Sequence, residues 1–224
     1  MSDTGHVGAA SSARTADTPR DIITSHAGGL WIITLNRPEK ANALTLAMLH
    51  NLEAAVAQAA SCGARALIVT GAGKVFSAGA DLDAARAGLA TDPVWERLSS
   101  AVAALPCLTI CAVNGPVAGG ALGMALACDL RIAVPGAQFF YPVLRLGFLP
   151  QPSDVARLRA LTGAARTMAL LLAGLRATAD EALAWGLVER VVAPETLMET
   201  AAALAADALA ADAAHLAAIR AMIG

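Results

Sequence analysis

The chain has 224 residues, of which 57% are hydrophobic, 15% charged and 4% aromatic. A charged share of about 25% is usual, so this composition excludes a chain disordered throughout and supplies the side chains for a large core. Sixteen Lys and Arg against eighteen Asp and Glu leave a net charge of −2. That excludes the basic footprint of a nucleic-acid binder and an acidic tail, and so few aromatics argue against base stacking.

A mean hydropathy of +0.58 raises the question of a membrane. No charged residue occurs from Leu98 to Cys128. Pro106, Asn114, Gly115, Pro116, Gly119 and Gly120 interrupt that stretch, whereas a spanning helix needs about 20 mostly apolar residues without such breaks. It reads as buried strand, turn and helix, with no membrane association. Residues 1–20 read as a disordered leader of Ser, Thr, Ala and Gly, without the apolar segment of a signal peptide. Cys62, Cys107, Cys111 and Cys128 lie in apolar surroundings and lack CxxC spacing. They read as reduced core thiols of a cytoplasmic protein, with no metal site.

In chain order, Ile22 to Ser25 and Leu30 to Leu35 predict two strands about a Gly28-Gly29 turn. Leu46, Leu49, Leu52 and Val56 fall on one helix face, with Thr45 as cap and Gly63 as stop. Ala66 to Thr70 predicts a short buried strand, followed by a Gly-rich loop from Gly71 to Gly79. A polar segment from Arg86 to Arg97 leads into a helix ending near Pro106. Leu108 to Val113 predicts a buried strand turned by Asn114-Gly115-Pro116. Gly119-Gly120 opens a small-residue helix to Cys128, and Leu130 to Val134 is the next strand. Beyond Pro152 the pattern is nearly all helix, with one strand at Val188 to Val192. Alternating helices and continuously apolar strands define an α/β protein.

Gly71-Ala72-Gly73-Lys74 is no P-loop, because Val75 stands where Ser or Thr is needed. It is no GxGxxG either, because Phe76 stands at the third Gly. No GxSxG elbow surrounds Ser77. Two loops remain informative, Phe76 to Leu82 and Asn114 to Gly120, each following a buried strand and leading into a helix. Small residues there let a ligand approach the main chain. Amides at a helix start are unpaired donors, and two of them converging on one carbonyl oxygen would form an oxyanion hole.

These loops, together with Leu35-Asn36-Arg37-Pro38, Asn42-Ala43-Leu44, Cys128-Asp129-Leu130-Arg131, Ala137-Gln138-Phe139 and the Thr178-to-Val188 segment, are similar in order and spacing to the crotonase (enoyl-CoA hydratase/isomerase) superfamily. The resemblance implies a crotonase-type spiral of ββα units, a core from 21 to 193 that binds an acyl-CoA thioester, and a helical C-terminal region from 194 to 224 that is short for the family. It also implies a homotrimer or a dimer of trimers, and no cofactor beyond the coenzyme A carried by the substrate. By the family's pattern the oxyanion donors are the N–H groups of Ala80 and Gly120. Ala78, Asp81 and Leu82 line the coenzyme A groove with Lys40 and Ala41; Gly119, Val143 and Gln151 complete the substrate-binding set.

The proton-transfer groups depart from that pattern. Hydratases of the family carry one Glu where Gly123 stands and a second where Val143 stands. A third family position, Asp in aryl-CoA dehalogenases and naphthoyl-CoA synthases, is Gln151. Water addition needs a base for water and an acid for Cα, and neither Gly nor Val moves a proton. Enolate stabilisation is expected to survive and ordinary hydration is not; Glu at both 123 and 143 is the change expected to restore it. Asp154 reads as a helix-start acid, Tyr141 as a packing residue able to donate a hydrogen bond, Asp81 as a helix cap and Asp129-Arg131 as a structural pair. His6, His26, His50 and His215 read as surface or packing residues. Three functions remain: an enzyme that relies on the oxyanion hole, a non-catalytic acyl-CoA-binding subunit, and a scaffold that has lost its ligand.

Overall fold

The computed structural model describes residues 21–223; the leader expected at residues 1–20 lies outside the described residues. β1 (Ile22–Ala27) and β2 (Leu30–Leu35) pair antiparallel through Gly28 and Gly29, both at positive φ. Such φ values suit glycine. Trp31, Ile33 and Leu35 alternate into the core, and Trp31 stacks on His26. Helix α1 (Leu46–Ser61) starts as predicted: Thr45 Oγ1 accepts from the Met48 N–H at 3.2 Å. Met48, Leu49, Leu52 and Val56 form its buried face.

β3 (Ala66–Gly71) is followed by the short α2 (Leu82–Arg86) and by α3 (Val94–Ala103). Then come β4 (Leu108–Val113), β5 (Val117–Ala118), α4 (Gly120–Ala127) and β6 (Leu130–Ala133). β1, β2, β3, β4 and β6 lie in that order in one sheet, parallel after the first pair. β3 and β4 are covered on both faces, hence their unbroken apolar runs.

β7 (Gln138–Phe140), the short α5 (Val143–Leu146), α6 (Pro152–Thr162) and α7 (Ala164–Leu171) follow. Next are β8 (Ala177–Thr178), α8 (Ala179–Trp185) and β9 (Arg190–Val191). β9 closes the far edge of the main sheet. β5, β7 and β8 form a second, three-stranded sheet that periodicity does not reveal, because strands of two or three residues are too short to alternate. The strand predicted at Val188 to Val192 shrinks to β9, while Leu187 and Val188 are buried ahead of it.

α9 (Leu197–Leu204), α10 (Ala206–Ala210) and α11 (Ala213–Ile223) end the described chain. Leu197, Ala201 and Ala205 join the same core as the sheet.

Asp129 and Arg131 are structural, but their side chains do not pair with each other. Asp129 accepts from the Thr109 N–H and O–H and from Arg220 of α11. Arg131 is buried and donates to the Leu187 and Cys128 carbonyls and to the Glu189 carboxylate. Asp129, just ahead of β6, thus ties β4 to α11, and Arg131 ties β6 to the segment ahead of β9. Cys107, Cys111 and Cys128 are buried thiols, and burial pushes Cys107 up to about 11. Cys62 is exposed rather than in the core, because it lies just past the last turn of α1. Among the described residues there is no cluster suited to a metal, and no helix is long and apolar enough to cross a membrane.

Candidate active site

The loop after β3 is shaped by Asn42, a buried residue at φ +52. Its Oδ1 accepts from the Arg37 N–H, and its Nδ2 donates to the carbonyls of Ala72 and Val75. Ser77 Oγ donates to the Asn42 carbonyl at 2.7 Å and accepts from the Gly79 N–H at 3.1 Å. One buried amide and one buried hydroxyl thereby satisfy a turn that would otherwise leave polar groups unpaired. Leu44 bridges Ala80 in parallel: the Leu44 N–H donates to Gly79 O and the Asp81 N–H donates to Leu44 O. This pattern turns the N–H of Ala80 away from Leu44.

The second loop packs against the first, backbone to backbone. Ser77 bridges Val117, and the Ala118 N–H donates to Ser77 O at 3.0 Å. Gly79, at φ +90, has no room for a side chain: a Cβ there would lie 2.8 Å from the Ala118 carbonyl oxygen. Gly119, at φ +55, donates its N–H to Phe140 O, which leaves Gly120 as the first residue of α4. Its amide is one of the unsatisfied groups of a helix start. Among the described residues, neither the Ala80 nor the Gly120 N–H has a backbone acceptor.

Ala80 and Gly120 line one cavity of about 380 Å³. Ala78, Leu82, Gly119, Val143 and Gln151 line it too, so most of the substrate-binding set expected from the sequence comes together. Lys40, Ala41 and Asp81 are not among its lining residues. Lys40 is exposed on a short turn, and Ala41 braces the loop by accepting from the Ala78 N–H. Asp81 is taken up elsewhere: it caps α2 through the Asp83 and Ala84 amides and pairs with Arg37 at 2.8 Å. The Arg37 hydrogen bond holds its carboxyl below the usual range. His26, His50 and His215 all lie outside the lining.

Tyr141 and Asp154 depart most from expectation. Tyr141 is only 3% exposed, and it lines the cavity. Its hydroxyl donates to Asp154 Oδ2 at 2.7 Å. Asp154 does sit in the first turn of α6, but its side chain is wholly buried. The carboxylate rests on α4 at Gly123, where a Cβ would come within 2.5 Å of Oδ1. Among the described residues Oδ1 has no hydrogen-bond partner, and the Arg157 guanidinium stands 3.7 Å away. Burial pushes this carboxyl up to about 6, against the pull of the Tyr141 hydrogen bond and Arg157. Burial and the Asp154 charge raise the Tyr141 phenol well above its ordinary range. A carboxyl group therefore does occupy the neighbourhood of position 123, supplied by α6 instead of α4. A side chain at Gly123 would meet the Asp154 carboxylate, so a Glu there requires Asp154 to give way. The sequence signal was thin: an Asp in a helix start beside a Gly-rich helix.

Two sheets, two glycine-rich loops meeting at one cavity and a buried helix opening from the second loop make up the crotonase fold. The family model described as enoyl-CoA hydratase/isomerase matches residues 25–223, and the chain belongs to that family. A Bacillus subtilis protein bearing the name enoyl-CoA hydratase/isomerase YngF is 43% identical over 183 residues, 78% of this chain and 70% of that protein. The 1,2-epoxyphenylacetyl-CoA isomerase of Escherichia coli is 36% identical over 196 residues, 83% of this chain and 75% of that protein. Among solved structures, the enoyl-CoA hydratase of Bacillus anthracis superposes with a TM-score of 0.85 at 33% identity, covering 91% of this chain and 82% of that one.

Proposed function

We propose that this protein is an enzyme that binds an acyl-CoA thioester, places its carbonyl oxygen between the N–H groups of Ala80 and Gly120, and stabilises the enolate that forms there. The observation that carries this reading is that both residues line one cavity while neither amide has a backbone acceptor among the described residues. Charge on a thioester oxygen grows as Cα loses a proton, and fixed donors favour the charged form over the ground state. Leu82, Trp95, Val143, Leu146 and Phe148 give the cavity apolar walls suited to an acyl chain. The Ala78-to-Leu82 backbone, with Lys40 and Ala41 beside it, is assigned to the coenzyme A side. No resident cofactor is required, since coenzyme A arrives with the substrate. Ordinary enoyl hydration is not expected, because 123 and 143 carry no carboxyl. Assembly as a homotrimer or a dimer of trimers in the cytoplasm completes the reading. The exposed Leu144, Leu149, Met168 and Leu172 are consistent with subunit contacts.

Gly120→Pro removes one donor, but a Cβ at 120 would also sit 2.6 Å from the Trp95 ring. The informative comparison is therefore Gly120→Pro/Trp95→Ala against Gly120→Ala/Trp95→Ala, which share the space and differ in the N–H. The proline variant is expected to lose roughly 10²–10³-fold in turnover of acyl-CoA relative to the alanine variant. Equal rates would contradict the assignment of Gly120. Binding of acyl-CoA without any turnover by the unmodified protein would favour the non-catalytic subunit.

A further inference from the structure

We infer that Tyr141 and Asp154 together handle the proton in this cavity, Tyr141 as the catalytic residue that meets the substrate and Asp154 as the positioning residue that stores the proton behind it. The inference rests on the acyl-CoA reading above and extends it to the reacting proton.

Three observations carry it. The pair is joined by a 2.7 Å hydrogen bond, and only its tyrosine lines the cavity. The carboxylate is wholly buried, yet one oxygen is unpartnered among the described residues. It lies against Gly123, and only the missing side chain there makes room for it. A buried, half-satisfied carboxylate is costly; it persists here behind Tyr141, which lines the cavity already assigned to an enolate. The charged groups acting on the pair are few. Glu96 of α3 and Arg157 of α6 affect Asp154, Glu96 also affects Tyr141, and α4 contributes no charge.

Tyr141 is too weak an acid to act as a phenolate. The step is therefore a paired transfer. The phenol oxygen takes the proton from Cα while the phenol's own proton passes to Asp154. The C–H electron pair becomes the enolate, whose oxygen is held by Ala80 and Gly120. With a β,γ-unsaturated acyl-CoA the intermediate is a dienolate. While the dienolate lasts, the phenol proton exchanges with solvent in the cavity; the phenol then gives a proton to Cγ and takes its own back from Asp154, which shifts the double bond to α,β and regenerates the ionised carboxyl. One such pair suffices for this 1,3-shift. Hydration would require a second group to activate water.

The test is 3-hexenoyl-CoA incubated in D2O, followed by mass spectrometry for deuterium uptake and by chromatography for the shifted double bond. The unmodified protein should catalyse both, with a rate that rises with pH through about 6 as Asp154 ionises. Asp154→Asn and Tyr141→Phe should each lower both rates roughly 10²–10⁴-fold, with the Kd for the thioester changed only a few-fold. Asp154→Asn should also abolish the pH inflection, which a merely structural role would leave in place. Should one variant fail to fold, the other variant and the unmodified protein's pH profile decide. Binding without exchange, or exchange that survives both substitutions, overturns this inference while leaving the acyl-CoA reading intact. No binding of the thioester overturns both.

Discussion

Asp154→Asn should stabilise the protein at pH 7.5 while removing its proton-handling activity. The carboxyl is wholly buried and one oxygen lacks a partner, so ionisation inside the fold is penalised. Its pKa rises from 3.8 to about 6, a shift of about two units, or roughly 3 kcal/mol at about 1.4 kcal/mol per unit. The folded state therefore binds more protons than the unfolded state between about pH 4 and pH 6. The stability of the unmodified protein is fullest below the unfolded-state value and falls as pH rises through about 6. Asparagine carries no charge and can still accept from the Tyr141 hydroxyl, but its NH2 takes the place of Oδ1, which has no hydrogen-bond partner among the described residues. A net gain of up to about 2 kcal/mol above pH 7 is expected, or a few degrees in Tm. The gain should vanish and then reverse toward pH 4, where the charge penalty is gone and the N–H cost remains. Thermal melts from pH 4 to 8 check this; a variant less stable at pH 7.5, or a difference that does not change with pH, would refute the buried-charge account.

The second large effect concerns Gly123. A Cβ at this position meets the Asp154 carboxylate, and both groups are enclosed between α4 and α6. Gly123→Ala should cost about 1–3 kcal/mol through overpacking, although alanine is otherwise the better helix former by about 1 kcal/mol. Combined with Asp154→Gly, the same alanine should lose most of that penalty, because the contact that causes it is gone. Contacting residues show such non-additivity, on the order of 0.5–3 kcal/mol. The same logic makes Gly123→Glu alone strongly destabilising and Gly123→Glu/Asp154→Gly tolerated, with the carboxyl now rooted on α4. Denaturant midpoints of the singles and doubles measure the coupling; additive costs would mean that the two positions do not share this space.

Much of the fold was legible because its signals are local. Thr45 caps α1 as read, Gly28-Gly29 turns the first hairpin, and the continuous apolar runs at Ala66 and Leu108 are strands covered on both faces. The loops bearing Ala80 and Gly120 were legible as paired strand-to-helix turns of small residues, and the structure brings them to one cavity. The short sheet of β5, β7 and β8 was not, since its ladders are fixed by tertiary contacts and not by a repeating pattern. Asp154 was invisible for a related reason. In sequence it is a helix-start acid; only the packing of α6 on α4 places its carboxylate over a glycine and beside Tyr141. Asp81, by contrast, was legible as a helix cap from its place just ahead of α2, and the α2 amides together with Arg37 occupy its oxygens.

Acetoacetyl-CoA tests whether the Ala80 and Gly120 amides favour an enolate oxygen, without requiring any proton-transfer side chain. Its α-carbon is acidic enough to ionise in buffer, and its enolate has a near-ultraviolet absorption band. Titrated into the protein at constant pH, it should bind with the enolate band enhanced and the apparent pKa of the ligand lowered. If it binds as the unchanged keto form, or does not bind, the Ala80 and Gly120 amides do not act on a thioester oxygen.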